Sequence, residues 1–189
     1  MSKLLVLAAI KDEFLPSTIN SCEVFYTGIG KINATYATTR LIYEVKPDLI
    51  FNIGTAGTMD QKYLGKIHKI GAVIEHDVKC EPLSPRGKVP FDHSPSVIPI
   101  FSEGLLLATG DSFITEPDPW LKKNKIDLVD MECFAIAKVA YNENVPFFSV
   151  KYASDMADSN ADKDWLEVLT KNPIDLEQQI SIILEELNV

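Results

Sequence analysis

Apolar residues come along this chain in short runs, separated by polar turns that often carry glycine. The run "LLVLAAI" (Leu4–Ile10) predicts a first strand, and "EVFYTGIG" (Glu23–Gly30) a second that ends in a glycine turn. From Lys31 to Val45, "KINATYATTRLIYEV" sets Ile32, Tyr36, Leu41 and Val45 at helical spacing, and Pro47 stops the helix. "DLIFNIGTAG" predicts a strand with another glycine turn at its end, and "GAVIEHDVKC" and "GLLLATGDSF" two more strands. "IDLVDMECFAIAKVAYNEN" starts as a short strand and continues as a helix with Phe134, Ala137, Val139 and Ala140 on its apolar side. "VPFFSVKYAS" predicts the last strand, and residues 162–189 one or two amphipathic helices around Asn172 and Pro173. The proline-rich stretch "CEPLSPRGKVPFDHSPSVIP" reads as a long loop and a candidate lid. Strands alternating with helices, several of them apolar on both faces, predict an α/β domain with a mixed, mostly parallel sheet.

Bulk composition narrows the function without naming it. A chain of 189 residues, 46% hydrophobic and 24% charged, fits one globular domain spanning 1–189. A net charge of −9 argues against nucleic-acid binding, which needs a clustered basic surface. The densest basic run, "LKKNK" (Leu121–Lys125), reads as a solvated helix face. Cys22, Cys80 and Cys133 are odd in number and far apart, which suggests neither a disulfide framework nor a zinc site and fits a reducing cytoplasm. His68, His76 and His93 show no metal spacing, and no apolar run is long enough for a membrane span. The expectation is a protein without metal or cofactor and without nucleic-acid or membrane partners.

Candidate chemistry gathers at strand ends. Four strands finish in small or polar clusters, "TGIG", "NIGTAG", "TGDSF" and "YASDMAD", and in open α/β sheets ligands bind at the carboxyl ends of strands. "GIGKIN" fits the dinucleotide fingerprint at Gly28 and Gly30 only; its third position is Asn33, and Asp48 precedes its strand rather than following it. No phosphate-binding G-x-x-x-x-G-K-[ST] occurs. By themselves these residues also fit ordinary roles. The glycines suit tight turns, Ser154 and Asp155 a cap, and Glu132 a first-turn acid; Glu13 suits an exposed position, and Phe113 and Met131 the core.

Taken in order, "AAIKDEF", "TGIGKINA", "NIGTAG", "ATGDSFI", "VDMECFAIAKVA" and "VKYASDMAD" resemble the 5′-methylthioadenosine/S-adenosylhomocysteine nucleosidases of the purine nucleoside and uridine phosphorylase superfamily. The resemblance implies a three-layer α/β/α fold around a twisted sheet, a homodimer and a place in methionine salvage. It implies that Asp155 protonates purine N7 as the base departs, with Ser154 orienting it, and that Glu13 activates the attacking water. Glu132 would bind the ribose hydroxyls and Met131 would lie against the sugar. Phe113 would stack on adenine, the Ile114 backbone would read its edge, Thr27 would help hold water near the ribose, and Gly57 would belong to the substrate-binding wall. Lys151 and Asp130 depart from the arginine and glutamate usual there, and the chain is shorter than typical members at 14–23 and 81–102.

The chemistry explains the carboxyl groups. Breaking an N-glycosidic bond passes through an oxocarbenium-like state, so the base takes a proton while water is held on the other face of the sugar. The only arginines are Arg40, on the predicted helix, and Arg86, in the long loop, too few for a phosphate-binding cluster. Hydrolysis is therefore expected. The alternatives are a purine nucleoside phosphorylase, another nucleoside hydrolase, or a non-catalytic nucleoside-binding module.

Overall fold

The computed structural model describes residues 3–13, 18–19, 22–171 and 185. Its strands are β1 (Leu4–Ala8), β2 (Thr18–Ile19), β3 (Cys22–Tyr26), β4 (Leu49–Thr58), β5 (Ile67–Glu75), β6 (Val97–Pro99), β7 (Leu105–Thr109), β8 (Leu128–Asp130) and β9 (Phe147–Met156). The helices are α1 (Lys31–Val45), α2 (Pro119–Lys123), α3 (Cys133–Asn142) and α4 (Ala161–Lys171). The rest of the predicted C-terminal helical region lies outside the described residues.

β1 shows why its apolar run is unbroken. Leu5 and Leu7 point to one face, where they pack with Ile50, Ala34 and Leu41 of α1, and Ile136 of α3. Val6 and Ala8 point to the other, against Val24, Phe51, Ile53 and Val150. A strand buried on both faces has no polar alternation to display. α1 turns Ala34, Ala37, Thr38, Leu41 and Ile42 inward, whereas Ile32 and Tyr36, which share the predicted stripe, are 81% and 71% exposed. Small residues on the buried stripe suit close packing of α1 on the sheet and on α3.

The expected mixed sheet is present, with parallel pairings β1–β3, β1–β4, β4–β9, β5–β7 and β7–β8. It is not simply open. β4 pairs β8 and β9, β9 pairs β5, β5 pairs β7 and β7 pairs β8, so these five strands close into a ring. The long β4 and β9 make this possible: β4 pairs β1 through Leu49–Asn52 and β8 through Gly57 and Thr58, while β9 pairs β4 along its length and β5 through Val150–Tyr152. β5 begins four residues before the predicted strand, because Ile67, His68 and Lys69 pair antiparallel with Tyr152, Lys151 and Val150.

The proline-rich loop is tied to the body of the domain, and its last residues form β6. Arg86 donates to the His76 carbonyl at 2.5 Å and is paired with Asp118 at 2.5 Å, while Lys138 holds Asp92. His76 is buried, both ring nitrogens lacking a partner among the described residues, and burial lowers its pKa. Among the described residues no helix is long and apolar enough to cross a membrane.

Candidate active site

At the carboxyl ends of β1, β4, β8 and β9 lies an open cavity of about 680 Å³, a volume that includes open solvent at its mouth. Glu13, Gly57, Phe113, Ile114, Met131, Glu132, Ser154 and Asp155 all line it. Thr27 does not. Its hydroxyl donates to the Gly28 carbonyl at 2.9 Å and so braces the glycine turn. Thr55 does line the cavity and donates from both N and Oγ1 to Glu13 Oε1, each at 2.5 Å.

Asp155 reaches the cavity through an irregularity in the β4–β9 ladder. Ala56 pairs with Ala153, but Gly57 pairs with Asp155, so Ser154 is the extra residue of a bulge. A bulge bends the strand and re-aims the side chains beside it. A Cβ on Gly57 would stand 2.9 Å from Asp155 Oδ1, so this glycine leaves room for the carboxyl. Gly54 does the same elsewhere, its missing Cβ lying 3.1 Å from both Glu13 Oε1 and Lys151 Nζ. Neither has a positive φ. The glycines of "NIGTAG" are therefore space for charged side chains rather than flexible joints.

The carboxyl groups sit in different surroundings. Burial pushes Asp155 up to about 6, against the lowering effect of the Ser154 hydroxyl that donates to Oδ2 at 2.6 Å; Asp164 and Asp158 raise it further. Glu13 has its Oε1 engaged by Thr55, while Oε2 is buried with no hydrogen-bond partner among the described residues. Glu132 is pushed up to about 8 by burial and by Asp130, although the Gly30 N–H donates to its Oε1 at 2.8 Å. Gly30 can present that N–H because its φ is 91°, a left-handed value that other residues rarely adopt.

Beneath these groups lies a buried ion pair, Lys151 Nζ to Asp130 Oδ2 at 2.9 Å. Burial alone would lower the Lys151 pKa, but Asp130 holds it above its usual value. Asp130 also accepts from the Thr109 hydroxyl at 2.6 Å and from the Cys133 N–H at 3.0 Å, which satisfies the start of α3. Both arginines are committed elsewhere, Arg40 to Glu44 and Arg86 to Asp118. Among the described residues no cluster of three or more His, Cys, Asp or Glu could hold a metal ion.

Two lining residues carry no obvious mark in the sequence. Thr55 reads as a turn residue between glycines, and Trp165 of α4 as the apolar side of an amphipathic helix. Trp165 stands with its ring 5.8 Å from that of Phe113, and its Nε1 donates to Thr55 Oγ1 at 2.9 Å.

Comparison with known proteins agrees with this architecture. The sequence model of the phosphorylase superfamily matches residues 17–187. The 5′-methylthioadenosine/S-adenosylhomocysteine nucleosidase of Staphylococcus aureus (strain MRSA252) is 30% identical over 210 residues, which cover 99% of this chain and 92% of that protein. Two Helicobacter pylori structures share the fold. A nucleosidase mutant with 5′-methylthioadenosine in its active site superposes with a TM-score of 0.86 at 20% identity, over 98% of this chain and 99% of that one. A futalosine hydrolase mutant has a TM-score of 0.86 at 19% identity, over 98% and 100%.

Proposed function

This chain belongs to the phosphorylase superfamily, and from that premise we propose that it hydrolyses the N-glycosidic bond of 5′-methylthioadenosine or S-adenosylhomocysteine and releases adenine. One observation carries the reading: the cavity holds a carboxyl that binds its proton more tightly than an ordinary aspartate, Asp155, and another with a buried oxygen that has no hydrogen-bond partner among the described residues, Glu13 Oε2. These are the two groups that glycosidic hydrolysis needs, a proton donor for the leaving base and an acceptor for the water.

In this reading Asp155, oriented by Ser154, gives its proton to purine N7. Glu13, gripped through Oε1 by Thr55, holds the water through Oε2. Glu132, once ionised, accepts the ribose hydroxyls and favours positive charge on the sugar. Met131 lies against the ribose, Phe113 stacks on adenine, the Ile114 backbone reads the edge of the base, and Gly57 walls the pocket beside Asp155. Thr55 supplies a hydroxyl on the water side through its bond to Glu13. Water is favoured over phosphate because Arg40 and Arg86 are ion-paired away from the cavity.

The working assembly is a homodimer in the cytoplasm, in methionine salvage. Ile32, Tyr36 and Tyr43 form an exposed apolar stripe along α1, which supports association, and the free thiols of Cys22, Cys80 and Cys133 suit a reducing compartment. Ile32→Asp is expected to shift the sedimentation mass toward the monomer. The function itself is tested by incubating the protein with methylthioadenosine, adenosylhomocysteine, inosine and adenosine, with and without phosphate, and following free base. Phosphate-independent adenine release from the thionucleosides supports the proposal; release only with phosphate rejects hydrolysis, and no release leaves a binding module.

A further inference from the structure

We infer that Trp165 is a positioning residue for the water-holding carboxylate, acting through a directed hydrogen-bond chain from α4 to Glu13. The direction follows from donor chemistry. An indole N–H can only donate, and Trp165 Nε1 donates to Thr55 Oγ1 at 2.9 Å. Thr55 has one hydroxyl proton. With its oxygen accepting from the indole, that proton goes to Glu13 Oε1, 2.5 Å away, where the Thr55 N–H also points. Both donors therefore fall on the same carboxylate oxygen, and Oε2 is buried without a partner among the described residues. A hydroxyl that accepts from one donor is a better donor itself, so the chain strengthens the hold on Glu13.

The place of Trp165 gives this chain a use beyond rigidity. Its ring lines the cavity beside Phe113, so a base stacked there touches the same side chain that fixes Thr55. α4 also carries Asp164, one of the acids that raise Asp155. The docking of one helix thus sets the water side of the cavity and bears on the acid side. The inference rests on reading Glu13 as the group that holds the water, and two measurements separate its failure from the failure of that reading.

The first is kinetic. Trp165→Phe keeps the ring and removes the N–H; kcat for adenine release is expected to fall about fivefold, as for loss of one hydrogen bond, with KM within twofold. Trp165→Ala, which also loses the stacking surface, is expected to raise KM as well. An unchanged kcat in Trp165→Phe overturns the inference while leaving the nucleosidase reading intact. The second needs no turnover. The chain has two tryptophans, Trp120 and Trp165, so two indole N–H signals appear in a ¹⁵N-labelled spectrum. Thr55→Val is expected to move the Trp165 signal upfield and speed its exchange with water, leaving Trp120 in place. No movement shows that the indole bond to Thr55 is absent and overturns the inference, whether or not the wild-type protein releases base.

Discussion

The two sides of the cavity use the same chemical group and treat it in opposite ways. On the β9 side, Asp155 is buried at a bulge with the Ser154 hydroxyl on one oxygen and acids near by, and its carboxyl is pushed up to about 6. On the β1 side, Glu13 has both donors of Thr55 on one oxygen, and the other has no partner among the described residues. Environment rather than residue type divides acid from base in such a pair. The backbone prepares both places with absent side chains, Gly57 beside Asp155 and Gly54 beside Glu13.

Removing the proton donor is expected to do most harm. Asp155→Asn should lower kcat for adenine release by about 10³-fold, since general acid catalysis contributes ~10²–10⁴, while nucleoside affinity measured by calorimetry stays within about tenfold. Glu13→Gln should cost about 10²-fold in kcat, because an amide oxygen still holds water but is far less basic. Both losses of equal size, accompanied by lost binding, would break the comparison. A methyl group in the space reserved for the acid should act next. Gly57→Ala meets Asp155 Oδ1 at 2.9 Å, and moving the proton donor by a fraction of an ångström is expected to lower kcat several-fold to tenfold, with the fold intact by circular dichroism.

A further effect concerns stability and has the opposite sign. Asp155 binds its proton more tightly in the folded state than in the unfolded chain, because its pKa is raised to about 6. Its contribution to stability is therefore lost as pH rises from about 4 to about 6, and neutral pH carries the full penalty. Asp155→Asn should be more stable than wild type by about 2 kcal/mol at pH 8 and no more stable at pH 4, read from urea midpoints. Equal midpoints at pH 8 would mean that the carboxyl costs nothing to ionise.

Much of this architecture can be read along the sequence, for identifiable reasons. β1, β4 and β9 announce themselves as apolar runs because both faces are buried, and Pro47 and the glycine turns mark element ends. The start of β5 is hidden because two polar residues in succession, His68 and Lys69, break the apolar pattern, although they pair with Lys151 and Val150 of β9. The stripe Ile32–Tyr36 misleads about α1, since the buried side is built mostly of small residues whose apolar signal is weak. At the cavity, Asp155 at a strand end and Glu132 at a helix start can be picked out as candidates, whereas Glu13 is marked only by the family resemblance of "AAIKDEF". Thr27 and Thr55 look alike in sequence, each beside glycines after an apolar run, and only the third dimension shows that one hydroxyl turns to the backbone and the other to Glu13. Trp165 is invisible for a similar reason: its apolar ring reads as packing, and its N–H matters only because Thr55 lies 2.9 Å away.

The division of labour between the two carboxyls is tested most directly by changing the leaving group. A riboside of 4-nitrophenol departs without needing a proton, yet still needs water delivered to the sugar. Hydrolysis rates of wild type, Asp155→Asn and Glu13→Gln on this compound, set against their rates on methylthioadenosine, isolate each role. The account predicts that Asp155→Asn recovers to within about tenfold of wild type on the nitrophenyl riboside while Glu13→Gln stays about 10²-fold slow. Equal impairment of both variants on both substrates would contradict it.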